Sequence, residues 1–193
     1  MNAHPETIRS FIGINPSAEV RAFLQDFKKR HSKDSWVKHI RWTTETNVHL
    51  TMRFLGDLTM AQIEQLKSGL EPIAKYQSSF NVHVGTPQPF PTPRKARILA
   101  SQVQKSEPLE QLASSLDALA LSVGVPKEDR PFRGHLTLGR FRNPMKHMDE
   151  LLQETATVSM PIDHVILFKS ELKSTGAEYL ELGKYLFEET GEA

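Results

Sequence analysis

The tripeptide His-Leu-Thr occurs twice in this chain of 193 residues, at positions 49–51 and 135–137, which are 86 residues apart (135 − 49). Both copies lie in apolar runs, "NVHLTMRFLG" and "FRGHLTLGRF", that are typical of β-strands. Residues i and i+2 of a strand share one face, so each histidine points the same way as its threonine. The leucine between them points into the core. The pattern therefore predicts two strands that each present an imidazole and a hydroxyl on an open face.

Two such imidazoles on opposite walls of a cleft suit phosphodiester cleavage. An unperturbed histidine titrates at about pH 6.5, so one ring can be a neutral base while the other is a protonated acid. In-line displacement at phosphorus places the entering and leaving groups on opposite sides. The hydroxyls can donate to the non-bridging oxygens of the phosphate. We therefore predict a metal-independent site of His49, His135, Thr51 and Thr137.

Other interpretations of the histidines remain open at this point. A single His-x-Thr is an ordinary structural pattern, and only the second copy argues for chemistry. Two histidines without cysteine or a pattern of nearby carboxylates make a poor zinc site. The other six histidines are predicted to be surface or locally satisfied residues: His4, His31, His39, His83, His147 and His164.

Residues downstream of each motif extend the predicted face. Simple alternation places Arg53 on the face of His49, and Gly139 on the face of His135, where a substrate could approach the backbone closely. The same alternation places Arg140 on the opposite face. It would reach the site only if a bulge interrupted the strand near Gly139.

The composition sets limits on the kind of protein. The formal net charge is +1, so any anion site must be local, and the absence of cysteine excludes disulfides and thiolate metal sites. No apolar run reaches the roughly 18 residues of a membrane span, and the first residues show no signal-peptide pattern. We expect a cytoplasmic monomer without a membrane partner or a cofactor.

The remaining sequence alternates strand and helix patterns. Strands are predicted over residues 7–15, 47–55, 79–86, 97–104, 136–141, 158–172 and 177–189, and residues 36–42 as a strand or an extended loop. Helices are predicted over residues 16–31, 59–73, 106–124 and 143–154. Thr59 and Gln62 form a capping box at the start of the second helix, and Gly56 and Asp57 are predicted to end the preceding strand.

The order of elements indicates an internal duplication. Both halves, residues 1–90 and 91–193, read as strand, helix, His-Leu-Thr strand, helix and strand. Residues 87–95 contain four of the twelve prolines and are predicted to be an irregular connection. We expect a single bilobal α+β domain with mostly antiparallel pairing.

The two motifs in context, "HLTMRFLG" and "PFRGHLTLGR", resemble those of the two-histidine phosphoesterases. Within that superfamily the chain is similar to the RNA 2',3'-cyclic phosphodiesterases, long called 2'-5' RNA ligases. The segments "RSFIGINP", "FPTPRKARIL" and "ILFKSELKSTGAEYLEL" share the resemblance. Relatives often have tryptophan at the place of Ala100.

The resemblance implies two antiparallel sheets that face each other across a V-shaped cleft, each with one motif and with helices outside. It implies hydrolysis of a terminal 2',3'-cyclic phosphate, with His49 as proton donor and His135 as proton acceptor. Thr51, Thr137 and Arg140 would contact the phosphate. Phe11 is the nearest match to an aromatic residue that stacks on a base, although core packing explains it equally well.

The substrates implied are RNA ends, tRNA fragments or small cyclic nucleotides, and the sequence leaves open whether a nucleotide such as ATP also binds. Two alternatives use the same cleft. One is reversible 2'-5' ligation of RNA halves, with a 5'-hydroxyl in place of water. The other is a non-catalytic module that binds RNA or nucleotides.

Overall fold

The computed structural model describes residues 6–146, 148, 151, 153–174 and 176–188. Within these ranges, three amphipathic helices cover the apolar faces of the strands. They are α1 (Ala18–Arg30), α2 (Met60–Tyr76) and α3 (Glu107–Ser122). The capping box of Thr59 and Gln62 is confirmed, since each side chain binds the other residue's backbone N–H. Of the helices within the described ranges, none has the length and apolar content that a membrane span requires.

The strands form one large sheet and one small sheet, with antiparallel pairing between the named strands. In chain order they are β1 (Thr7–Ile14), β2 (Ile40–Trp42), β3 (Leu50–Thr59), β4 (Phe80–Gly85), β5 (Gln88–Phe90), β6 (Ala96–Gln102), β7 (His135–Met145), β8 (Thr157–Ile162), β9 (His164–Lys173) and β10 (Gly176–Leu186). The eight-stranded sheet has the order β10-β9-β1-β3-β7-β6-β5, with β2 also paired to β7, and β4 pairs with β8. The predicted α+β class with mostly antiparallel sheets is confirmed.

The two His-Leu-Thr segments lie in the same sheet, not in two separate sheets as the resemblance implied. His49 directly precedes β3, and His135 is the first residue of β7. These two strands pair at Leu50 and Leu136, the one registered pair between them. Both leucines are fully buried in the main core, so the large sheet consists of two halves joined at an apolar contact.

Five predictions about the elements are wrong in part, and four of them concern the extent of strands. Strand β3 continues through Gly56, at φ 74°, to Thr59 instead of ending there. The proline-rich connection contains β5, which pairs with β6 at the edge of the sheet, where a proline is tolerated. Residues 158–172 form two strands, β8 and β9, separated at Asp163. Residues 36–42 combine a 3-10 helix (Ser35–His39) with the short strand β2, so the alternative of a strand is only partly right.

The fifth is the helix predicted to begin at Asn143. Strand β7 continues through Asn143 to Met145, which pairs with Ala96, because the ladder with β6 takes the backbone hydrogen bonds that a helix would need. Residues 147, 149, 150 and 152 of that prediction lie outside the described residues.

A β-bulge follows the threonine in both motif strands. Thr51 pairs with Gly13 and Arg53 with Ile12, so Met52 is an extra residue in β3. In β7, Thr137 pairs with Ala100 and Gly139 with Leu99, so Leu138 is the extra residue. An extra residue reverses the alternation of faces for the residues that follow. Burial agrees, because each extra residue and the residue after it are both buried.

The bulge in β3 turns Arg53 into the core, where its side chain links β3 to α3 and to the segment that follows α3. Its side chain is 5% exposed, and Nε lies 2.8 Å from Oδ1 of Asp117 in α3. Nη1 donates to Oε1 of Glu128 at 3.0 Å and to the carbonyl of Phe54 at 2.9 Å, and Nη2 donates to the carbonyl of Pro126. Arg53 therefore fixes the segment that leads toward His135 onto the first motif strand.

We predict that Arg53→Met lowers the free energy of unfolding by about 2–3 kcal/mol, measured by urea denaturation. The substitution leaves two carboxylates without their ion-pair partner and two carbonyls without their donor, and the partial exposure of both carboxylates keeps the cost below that of a fully buried pair. Arg9→Met is the matched control, since Arg9 is exposed, and should change stability by no more than about 0.5 kcal/mol. A loss of stability as small as that of the control would show that Arg53 does not link β3 to α3 and the segment that follows it.

Candidate active site

Both motif histidines are oriented by the same local hydrogen bond. Nδ1 of His49 lies 2.8 Å from the carbonyl oxygen of Asn47, and Nδ1 of His135 lies 2.9 Å from that of Arg133. A carbonyl only accepts, so Nδ1 carries the proton in each ring. Nε2 of each imidazole is therefore the nitrogen that can take or give a proton.

The pairing of the strands brings the four predicted side chains to one place. Around the pair Leu50–Leu136, antiparallel order sets His49 toward Thr137 on one side and Thr51 toward His135 on the other. The leucines occupy the core face, so all four polar residues lie on the opposite face, which we call the site face. Each is partly buried.

The His49 ring lies in an apolar environment. Its centroid is 4.7 Å from that of Phe11 and 5.0 Å from that of Tyr179, which meets it edge-on. Burial lowers the pKa of His49, the hydrogen bond to the Asn47 carbonyl raises it, and the nearby His135 lowers it further. The net effect is a pKa below the ordinary value, so His49 is neutral at neutral pH in the free protein. Nε2 lies 2.9 Å from the hydroxyl of Thr51, which can donate to it.

His135 has a different neighbourhood. Its ring stacks on Phe90 with centroids 5.3 Å apart and planes inclined by 13°. The guanidinium carbon of Arg133 lies 5.1 Å from the centroid of the same phenyl ring. Arg133 therefore supports His135 with its carbonyl and contacts Phe90 with its side chain.

The bulge in β7 brings Arg140 to the site face. Simple alternation placed it on the opposite face, and the extra residue Leu138 reverses that order, so Arg140 is exposed on the face of His135 and Thr137. The expectation for Gly139 is wrong for the same reason. Gly139 is buried on the core face, where an added Cβ would lie 2.6 Å from Cδ1 of Ile40. Its missing side chain makes room for β2.

The bulge in β3 turns Arg53 away from the site face and brings Phe54 to that face instead. The expectation that Arg53 faces the site is wrong, because it is buried on the core side. Phe54 takes that place and is 60% exposed. It stands five residues after His49, as Arg140 stands five after His135, and a comparison of the two motifs position by position would have found it.

Two further residues named from the sequence are placed by the structure. Phe11 is 3% exposed and stacks on Phe168 at 4.9 Å, so it packs behind His49 and offers no free face to a base. Ala100 pairs with Thr137, so it lies on the site face, but it is 1% exposed.

The other histidines in the described ranges do not join the site. His31 caps the C-terminus of α1 and contacts Asp34 and Glu154, and the Nδ1 atom of His164 contacts Asp163. His39 and His83 are exposed, and His4 and His147 lie outside the described residues. Within those ranges, no group of three or more His, Cys, Asp or Glu residues is arranged to hold a metal ion.

Comparison with known proteins identifies the family. The model of the 2'-5' RNA ligase superfamily matches residues 16–173, and the chain therefore belongs to this superfamily, as the two motifs indicated. It is similar to a curated RNA 2',3'-cyclic phosphodiesterase of Aquifex aeolicus, with 29% identity over 180 residues that cover 90% of this chain and 94% of that protein.

Solved structures share the fold. TT0787 of Thermus thermophilus aligns with a TM-score of 0.80 at 22% identity, over 95% of this chain and all of that one. Escherichia coli LigT complexed with 3'-AMP aligns with a TM-score of 0.74 at 21% identity, over 94% and 99% of the two chains.

We predict that Tyr179→Ala raises the pKa of His49 toward its ordinary value, because water then reaches a ring that the tyrosine edge now covers. An NMR pH titration of the His49 imidazole measures the change. Tyr76→Ala is the control, since Tyr76 is 81% exposed at the end of α2 and the ring contacts of His49 are with Phe11, Phe168 and Tyr179. An unchanged pKa in Tyr179→Ala would contradict burial as the main cause of the shift.

Proposed function

We propose that this protein hydrolyses the terminal 2',3'-cyclic phosphate of RNA to a 2'-phosphate, by general acid–base catalysis with two histidines and without a metal ion. The main support is the matched pair of imidazoles, each held at Nδ1 by a backbone carbonyl and set beside the threonine of the other strand. The curated relatives named RNA 2',3'-cyclic phosphodiesterase agree with this reaction.

In the proposed reaction, Nε2 of His135 accepts a proton from a water molecule as its oxygen attacks phosphorus. The bond from phosphorus to O3' breaks, and Nε2–H of His49 gives its proton to O3'. The product carries a free 3'-hydroxyl and a 2'-phosphate. One proton enters at His135 and one leaves from His49, so a proton must pass back between the rings or through solvent before the next cycle.

The lowered pKa of His49 makes its role as acid depend on the substrate. In the free protein this ring is neutral and accepts from Thr51. The negative charge of a bound cyclic phosphate favours the protonated imidazole and raises the pKa of His49 again. Thr51 is then free to turn its hydroxyl to a phosphate oxygen. Substrate binding and protonation of the acid are thus coupled.

The rest of the site face suits the two ends of a nucleotide. Thr51, Thr137 and Arg140 can donate to the phosphate oxygens, which become more negative in the transition state. Phe54 offers an exposed aromatic ring on the first motif strand, where a nucleobase can stack. Phe54 of β3 would bind the base, and Arg140 of β7 would bind the negative charge of the phosphate.

We predict that His49→Ala and His135→Ala each reduce kcat roughly 10²–10⁴-fold on an RNA that ends in a 2',3'-cyclic phosphate, because each removes one proton-transfer group. His83→Ala is the control, since His83 is an exposed histidine of β4. EDTA should leave the activity of all variants unchanged. Full turnover by either motif variant, or complete inhibition by EDTA, would contradict the mechanism.

Product analysis separates the alternatives. Ligation of two RNA halves needs a 5'-hydroxyl to replace water, and the family description includes that reaction by name. Incubation of tRNA halves should give the 2'-phosphate in excess over the 2'-5' product. Tight binding of the cyclic-phosphate RNA without either product would show a non-catalytic binding module instead.

We predict bell-shaped pH profiles, because one imidazole must be neutral while the other is protonated. The pH profile of kcat/KM reports the pKa values of the catalytic groups in the free enzyme, and the profile of kcat reports their values in the enzyme–substrate complex. Since the anionic substrate raises the pKa of His49, the kcat profile should lie at higher pH than the kcat/KM profile. Steady-state kinetics across pH test this, and a kcat profile displaced to lower pH would contradict the coupling.

A further inference from the structure

The imidazole of His135 is held at fewer points than that of His49. Nδ1 of His135 contacts the carbonyl of Arg133, and Phe90 is its one aromatic neighbour among the described residues. The His49 ring has the matching hydrogen bond, three aromatic neighbours and the hydroxyl of Thr51 at Nε2. A single hydrogen bond fixes one atom of a ring and leaves the ring free to turn about that contact. The plane of the His135 ring therefore depends on Phe90.

Strand pairing brings Phe90 to the site face. Phe90 of β5 pairs with Ile98 of β6, and Ile98 pairs with Arg140 of β7. Directly opposed residues of an antiparallel pair point to the same face, so Phe90 shares the face of Arg140. On that face its ring lies nearly parallel to the imidazole of His135, with centroids 5.3 Å apart and planes inclined by 13°. This is the offset stacking that two aromatic rings prefer.

A second contact holds Phe90 itself. Strand β5 has three residues and lies at the edge of the large sheet, so its backbone is paired on one side only. The guanidinium carbon of Arg133 lies 5.1 Å from the centroid of the phenyl ring, within the range of a cation–π contact. The carbonyl of the same arginine binds Nδ1 of His135. Arg133 therefore supports the imidazole twice, directly through its backbone and indirectly through Phe90.

The first half of the sheet has an aromatic residue at the matching position. Two equivalent rows of directly paired residues cross the site face, one with Phe54, Phe11 and Phe168 and the other with Arg140, Ile98 and Phe90. Phe168 is thus the counterpart of Phe90. Its centroid is 6.3 Å from that of His49, and Phe11 makes the closer contact at 4.7 Å. Ile98 has no ring to offer in the place of Phe11, so Phe90 alone supports the second histidine.

We propose that Phe90, held by Arg133, is a positioning residue for the proton acceptor. Its ring fixes the plane of His135, and with it the direction in which Nε2 meets the attacking water. This inference rests on the proposed function, because it gives a role to the support of the base in that reaction. A base that is turned out of line slows proton transfer and leaves substrate binding intact, so the loss of Phe90 should appear in kcat and not in KM.

Kinetics with matched variants test the proposal. Phe90→Leu should lower kcat roughly tenfold on an RNA that ends in 2',3'-cyclic phosphate, while KM stays within about twofold of the wild-type value. Phe90→Tyr keeps the ring and should retain the wild-type kcat. Phe80→Leu is the control, since Phe80 is also a partly buried phenylalanine of a strand and packs against the main core. Wild-type kcat in Phe90→Leu, or a loss confined to KM, would overturn the proposal.

NMR of the ring nitrogens without substrate separates this proposal from the proposed function. In the wild type the neutral His135 ring carries its proton at Nδ1. In Phe90→Leu the ring turns more freely, so the chemical shifts of its two nitrogens should move toward those of a free imidazole that exchanges between tautomers. Phe90→Tyr should restore them. If the wild type turns over no substrate, hydrolysis is refuted and this comparison still tests the positioning. Unchanged shifts in Phe90→Leu would overturn it.

A surface variant keeps the test open if Phe90→Leu does not fold. Arg133→Gln removes the guanidinium from Phe90 and keeps the carbonyl that binds Nδ1 of His135, and the side chain is exposed. It should move the ring nitrogens in the same direction by a smaller amount. Shifts identical to those of the wild type would refute the role of Arg133 in holding Phe90.

Discussion

The buried pair of Leu50 and Leu136 is the contact on which the site depends. Strands β3 and β7 have no other registered pair, and the pair joins the two halves of the large sheet. Because both leucines are fully buried, their neighbours on either side must lie on the opposite face. A slip of one residue in either strand would turn its histidine and threonine into the core. The position of two catalytic candidates is thus set by the burial of two apolar side chains.

The bulge that follows each threonine lets each motif strand both support the fold and line the site face. Up to the threonine, the polar residues face the site, and after the extra residue the order is reversed. The reversal sends Arg53 inward to link β3 to α3 and Gly139 inward to make room for β2. It sends Phe54 and Arg140 outward at matching positions. The same backbone irregularity, present in both strands, therefore lets each of them contribute residues to the core and to the site face.

The sequence predicted what depends on local patterns. Three of the four predicted helices followed from apolar spacing and, at Thr59, from the capping box, and the proposed chemistry rests on the two copies of His-Leu-Thr. Strict alternation failed at Arg53 and Gly139, because a bulge is decided by pairing with a distant strand and leaves no pattern in its own sequence. The prediction of an irregular connection failed at Gln88–Phe90, since a strand at the edge of a sheet tolerates the prolines that would exclude a strand elsewhere.

The two histidines share one tripeptide and one local hydrogen bond, so their difference must come from their surroundings. His49 lies against Phe11 and Tyr179, and His135 stacks on Phe90, a residue of an edge strand. The aromatic side chains behind His49 make its environment differ from that of His135. Burial lowers the pKa of this ring, and in the proposed reaction the anionic substrate would raise it again. The phosphate that is to be cleaved would therefore also prepare the acid that protonates its leaving group.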